Sequence, residues 1–316
     1  MKKRIKTILY SVFKIKFFNL FIVLLYKVSS SLGIKKLNNI FQKFPYTGKF
    51  KVVMDNNTSF LMKSDGSDSI ASDLYWKGIH AYEPNTVNTF LKLLQKNVKV
   101  FIDIGANTGF YALIAASFDK SMRVFAFEPI DSAFDIMKGN KEINKFDNLV
   151  VEKKAVSDFD GISKFNLQKT SSPKIPLGSS LRTDMGDQED MIIIDVPTIK
   201  LDSYFKDNKI DGLDILQIDT EGTEDKVLKG AENVLNKYRP LIICEVLSNL
   251  IEDKLHSVMD GRKYLYFYVE ENKILQCEKI VGDPYVVSNY LFIPEEKISQ
   301  YFEGYTIEKA EKKIFK

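Results

Sequence analysis

Five acidic side chains end apolar, strand-like runs in this 316-residue sequence: Asp103 in "VFIDIGA", Glu128 in "RVFAFEP", Asp219 with Glu221 in "LDILQIDTEG", and Glu245 in "PLIICEVL". Asp158 follows a little past a further run, "LVVEKKAV". A lone surface carboxylate says little. A series of them at the carboxyl ends of successive strands reads as one shared site, because open parallel sheets bind ligands beyond those ends. Such a rim attracts a cationic ligand, and its carboxylates can also act as general bases. Asp219, Glu221 and Glu245 suit three roles: removing a proton, holding a hard ion such as Mg²⁺ or Ca²⁺, or shaping the site. With only His80 and His256, and Cys244 and Cys277 outside any zinc-like spacing, a His-rich or Cys-rich metal site is not expected.

The turn after the first of these strands reads Asp103-x-Gly105-x-Asn107-x-Gly109. Its glycines let backbone approach a ligand closely. It is not the GxGxxG turn that wraps a pyrophosphate, and an acid two residues before the first glycine would repel phosphate and attract an ammonium group. Glu128 follows Gly109 by 19 residues, at the next strand end, where a carboxylate accepts both hydroxyls of a ribose. A ligand with a ribose, a positive amino-acid end and no phosphate satisfies all three features. S-adenosylmethionine is such a ligand.

These positions need a scaffold. From Val98 onward, apolar runs alternate with helical segments: a helix over 108–118, one from Asp131 (read as its N-cap) to Asn144, and one through "EDKVLKGAENVLNKY". That alternation predicts an α/β fold with a mostly parallel sheet covered on both faces. Upstream, "GKFKVVMDNNTSFLMKS" reads as a hairpin around Asn56 and Asn57, followed by helical spacing to Asn97. The polar stretch 168–190 interrupts the alternation and has the length of a functional loop. The organisation expected is an arm over 1–50, a hairpin and helical lead-in over 51–97, a catalytic domain over 98–300 and a tail over 301–316.

The motifs "FIDIGANTGFYALIA", "FAFEP", "KAVSDFDG", "VPTIKLDSY", "LQIDTEGTEDKVLKGA" and "PLIICEV" together resemble the FkbM family of S-adenosylmethionine-dependent methyltransferases, over about residues 65 to 295. The resemblance implies a class I methyltransferase, Rossmann-like fold: a seven-stranded, mostly parallel sheet whose last strand, "YVVSNYLFIP", is antiparallel. By position it assigns Asp103, Gly105, Asn107 and Gly109 to the methionine end of the ligand. Glu128 falls to the ribose, and Ala155, Val156 and Asp158 to the border of the adenine. It implies O-methylation of a hydroxyl on a glycan or lipid-linked sugar. Glu83, just before a helix in the lead-in, and His80 join Asp219, Glu221 and Glu245 as candidate catalytic groups. Ser179, Ser180 and Arg182 are candidates for holding the acceptor, and Tyr75 and Trp76 are read as core. The competing readings are a methyltransferase-like binding module without activity and a dinucleotide-dependent oxidoreductase on a similar sheet.

The arm lies outside that resemblance. Residues 1–54 hold 12 Lys or Arg and no Asp or Glu, so the rest of the chain carries 33 basic against 42 acidic side chains. An acidic body is a poor match for nucleic acid, while a basic, apolar arm suits an anionic membrane surface contacted through residues 1–36. Lys14, Lys16 and Asn19 interrupt the apolar stretch and weigh against a spanning helix. A helix packed on the body, or a signal segment, are the alternatives. The cysteine usage fits a reducing compartment, giving a cytoplasmic protein peripheral to the inner membrane face.

Overall fold

The computed structural model describes residues 16–55, 58–168, 180–182, 191–270, 273–282, 289–303 and 307–309. Its centre is a sheet in which β3 (Val100–Ile104), β4 (Arg123–Phe127) and β5 (Leu149–Glu152) run to one side. On the other side run β9 (Ile215–Ile218), β10 (Leu241–Glu245), β13 (Asn289–Pro294), β11 (Tyr264–Glu270), β12 (Lys273–Cys277) and β14 (Ile307–Lys309). The full order is β14-β12-β11-β13-β10-β9-β3-β4-β5. The first seven strands from the β5 edge have the expected arrangement, with β13 antiparallel to both β10 and β11. The seven-strand expectation falls short by two, because β12 and β14 extend the edge. Residues 307–309 of the presumed tail therefore belong to the sheet. The short helix before them, Ile298–Phe302, buries Tyr301 and Phe302 in the main core.

Every side chain of β3 is buried, as a strand covered on both faces requires. Alternate residues feed two cores. Phe101, Ile215 and Ile243 pack on one face, and Ile102, Leu216 and Ile242 on the other. Cys244 and Cys277 are buried, free thiols. Strand order reverses between β3 and β9, so the crevice that an open sheet offers a ligand falls there.

Four details depart from the sequence reading. The hairpin, Thr47–Val53 with Ser59–Asp65, begins inside the presumed arm, and its turn residues Asn56 and Asn57 lie outside the described residues. Ile130 takes the N-cap position of helix Asp131–Asn144, whose Asp131 is instead paired with Lys153. "LVVEKKAV" breaks after Glu152, and Ala155–Val156 joins a separate three-stranded sheet with Gly161–Gln168 and Met191–Ile199. Finally, the single helix expected after β9 is two, Glu224–Lys229 and Glu232–Tyr238, parted at Gly230.

At that break Gly230 lies against the backbone of Ser157, whose carbonyl oxygen is 2.0 Å from where a Cβ on Gly230 would stand. Rigid backbone cannot yield as a flexible side chain does. Gly230→Ala is thus expected to destabilise the fold by about 3 kcal/mol, the upper part of the usual overpacking range. Denaturant titration checks this, and an unchanged midpoint would contradict the close approach.

Candidate active site

The β3 end is tied to its neighbours through backbone. The amides of Gly105 and Ala106 both donate to the carbonyl of Phe127, at 3.0 and 2.9 Å. Asn107 holds a left-handed conformation, φ 51°, which aims its amide at Oε2 of Glu128, 2.9 Å away. The other oxygen of Glu128 accepts the amide of Ile130 at 2.8 Å. One carboxylate thereby fixes the loops after β3 and β4 relative to each other, and it still borders the cleft. Asp103 Oδ2 accepts the amide of Ala112 at 3.1 Å, in the first turn of helix Phe110–Phe118, where a negative group suits the helix dipole.

Burial, the leading cause, pushes the carboxyls of Asp103 and Glu128 each up to about 7. The unfolded chain releases these protons near pH 4. Between about 4 and 7 the folded state therefore binds more protons than the unfolded state, and stability falls as pH rises through that window. The ligand-free protein is expected to melt lower at about pH 8 than at about pH 5, and a saturating cationic ligand should flatten that slope. Thermal melts across the range check it, and a profile that rises with pH would contradict it.

At the neighbouring strand ends, Asp219, Glu221 and Glu245 bring one carboxylate oxygen each within 4.8 Å of one another. Asp219 and Glu245 are hydrogen-bonded, and the Asp219 carboxyl is held well above the ordinary range by burial and by the charges of Glu245 and Glu221. Glu245 shifts the same way, first through burial and then through Glu221. Like charges this close do not all ionise without a counter-charge: they share a proton or surround a cation. The "DTEG" turn that carries two of them is shaped by buried Glu224, whose Oε1 accepts the amides of Thr220 and Gly222 and the Thr220 hydroxyl.

Glu83 approaches from the lead-in, with φ 41° at the start of helix Pro84–Leu94. Its Oε2 accepts the hydroxyl of Tyr111 at 2.6 Å and the amide group of Asn289 at 3.0 Å, and burial raises its carboxyl. Tyr82 beside it lines the cleft, and its hydroxyl is held far above its usual range by burial and then by the charges of Glu83, Asp219 and Glu245.

The cleft encloses about 980 Å³, counting the part open to solvent. Of the sequence-derived candidates, Asp103, Gly105, Asn107, Glu128, Ala155, Val156, Asp219 and Glu221 line it. Glu245 reaches it through the carboxylate cluster and Glu83 through Tyr111. Others fall elsewhere. His80 is exposed in a 3-10 turn, and Asp158 is exposed next to Ser157, whose hydroxyl it accepts. Gly109 starts a helix and faces the side chain of Met137. The Ser180 hydroxyl donates to the carbonyl of Thr220 and accepts the amide of Arg182, so it braces the loop rather than the cleft. Arg182 packs its side chain over Gly222. Ser179 lies outside the described residues. Tyr75 and Trp76 are packing residues, Tyr75 stacked on Tyr46 with centroids 3.5 Å apart.

Three contributors escaped the sequence reading. Gln217 is 3% exposed, lines the cleft, and has no hydrogen-bond partner for its Oε1. Its signal was a lone amide in an otherwise apolar strand. Phe165 and Leu181 join Ile130, Ala133 and Ala155 in an apolar wall, and no periodicity in the sequence marked them.

The cleft therefore differs from end to end. Asp219, Glu221 and the unsatisfied acceptor of Gln217 share the cleft with Gly105, Glu128 joins the Asn107 turn to Ile130, and Ile130 belongs to the apolar wall. S-adenosylmethionine has the same polarity: an ammonium and sulfonium, a ribose, then a planar base. Gly105 itself lies tight against the next loop, since a Cβ there would stand 1.7 Å from the carbonyl oxygen of Asp219.

Residues 103–271 match the family model of the methyltransferase FkbM domain. No curated protein matches the sequence. Among solved structures the chain is similar to methyltransferase FkbM from Methylobacillus flagellatus KT, at 13% identity and TM-score 0.40, over 62% of this chain and 43% of that one. It thus spans less than half the length of that protein. It is also similar to precorrin-6y C5,15-methyltransferase from Geobacter metallireducens GS-15, at 14% identity and TM-score 0.40, over 69% and 90% of the two chains. A third is an O-methyltransferase from Bacillus cereus, at 14% identity and TM-score 0.37, over 66% and 79%. Since the family model spans more than half of the sequence, including most of the residues around the cleft, the chain belongs to the FkbM family and is an S-adenosylmethionine-dependent methyltransferase.

Proposed function

We propose that this enzyme methylates a hydroxyl oxygen of a glycan or lipid-linked sugar. The carboxylate group of Asp219, Glu221 and Glu245 carries the reading, because Asp219 and Glu221 line the same cleft as Gly105, where the amino-acid end of the ligand would lie. Bound S-adenosylmethionine supplies a methyl on a positively charged sulfur, already a good leaving group. A sugar hydroxyl attacks poorly until its proton is taken. A carboxylate of the cluster accepts that proton as the new C–O bond forms and the C–S bond breaks, leaving S-adenosylhomocysteine. The raised proton affinity of the pair makes its ionised form a stronger base. A neutral amine acceptor needs no such base to attack, so the cluster favours oxygen. Tyr82 and the apolar wall help to exclude water and hold the acceptor within about 3–3.5 Å of the methyl.

The test uses isotopically labelled S-adenosylmethionine, a glycan and glycolipid extract, and mass spectrometry of the products. Label on a sugar oxygen is expected. Label on nitrogen, or no S-adenosylhomocysteine formed, would overturn the proposal. Turnover is expected to survive treatment with EDTA, since the carboxylates act directly. A loss restored by Mg²⁺ would assign the proton-removing step to an ion held by the same three residues.

A further inference from the structure

We propose that the arm seats this enzyme on an anionic lipid bilayer through the outward face of helix Lys16–Ser31. That helix has two apolar faces. One is fixed to the body: Ile22 and Trp76 are buried together, and the Asn19 side-chain amide donates to the carbonyl of Pro45 at 3.1 Å. At 100° per residue, Leu20, Phe21, Leu24 and Val28 fall within an arc of about 100° on the opposite side, with Lys27 at its margin. These four side chains are 57%, 53%, 57% and 48% exposed, and Leu32, just past the helix, is 67% exposed. Among the described residues nothing covers them.

Charge decides what does. Lys27, Lys35, Lys36 and Lys43 are exposed, and none forms an ion pair among the described residues. The first 54 residues contain no acid to neutralise them. An apolar stripe with Lys27 at its margin, on an arm with three further exposed lysines, complements anionic headgroups above acyl chains. A second copy of this chain would place lysines against lysines. No described helix is long and apolar enough to cross a membrane, so the contact is one of lying on the surface.

The seat is joined to the active site. Trp76, which holds the arm, lies in the last turn of helix Ser69–Lys77, and Ile70 near the start of that helix lines the cleft. A bilayer beneath the arm therefore has a fixed relation to the cleft wall and presents an acceptor anchored in lipid from a constant side. Docking does not depend on which acceptor is methylated.

Sedimentation of the full chain with phosphatidylcholine vesicles, with and without phosphatidylglycerol, tests the inference. Binding is expected only with phosphatidylglycerol and should weaken as salt is added. Replacing Leu20, Leu24 and Val28 together by Ser, or Lys27, Lys35 and Lys36 together by Glu, is expected to weaken it at least about tenfold. S-adenosylmethionine affinity should stay unchanged in both variants, which confirms that they fold. Equal sedimentation of parent and variants, or equal binding to neutral vesicles, would overturn the proposal. So would a concentration-dependent dimer that the serine variant abolishes, since the face would then belong to a second copy.

Discussion

Gly105→Ala is expected to abolish binding of S-adenosylmethionine. The added methyl would stand 1.7 Å from the carbonyl oxygen of Asp219 and 2.7 Å from its carbonyl carbon, at a backbone φ of +80° that disfavours any side chain. The loop after β3 must then leave the end of β9. It takes along the amide of Asn107, which holds Glu128, and separates the acids near Gly105 from the ribose acceptor. Affinity should fall more than about a hundredfold, roughly 2.7 kcal/mol. Isothermal titration checks it, with Gly139→Ala as the control. Gly139 lies in helix Asp131–Asn144 with open space around it, so alanine there should leave binding intact and stabilise slightly. An affinity within about threefold of the parent for Gly105→Ala would mean that the ligand lies elsewhere.

The second large effect is on turnover. Asp219→Asn keeps the shape of the side chain and removes the acid that is hydrogen-bonded to Glu245. A general base contributes about 10²- to 10⁴-fold, so kcat should fall by that order. Glu221→Gln should lower it less and spare ligand affinity, because the hydrogen-bonded pair of Asp219 and Glu245 stays intact. In the parent enzyme, kcat/KM should rise with pH through apparent values that belong to the carboxylate pair rather than to either residue. In Asp219→Asn that rise should follow the titration of a single carboxyl, Glu245, because its hydrogen-bonded acid partner is gone. Unaltered kcat with Asp219→Asn would remove the carboxylates from the proton-transfer step and leave them a binding role.

Much of this site was readable before any coordinates. The turn "DIGANTG" states its own geometry, because Gly105 and Asn107 are residue types that tolerate positive φ, and both adopt it. The strand-end acids were equally plain, since a run such as "LDILQID" is apolar enough to be buried and has nowhere but its end to put a charge. What could not be read depends on partners far apart in the chain. Glu83 meets Tyr111 across 28 residues and Asn289 across 206, and no local pattern encodes such pairings. His80 stands three residues from Glu83 yet faces solvent, because the turn that brings one side chain inward sends the other out.

The amino-acid order alone determined the alternation of strands and helices, the phosphate-free character of the ligand turn and the family. Those features rest on short-range periodicity and backbone preference, which act within a few residues. Only the tertiary structure decided that a helix parts at Gly230, that Ala155–Val156 leaves the main sheet and that residues 307–309 extend it. It also decided which acids crowd closely enough to share a proton. Each of these is set by what else occupies the same space, and volume and charge are contested between segments that the chain brings together only on folding.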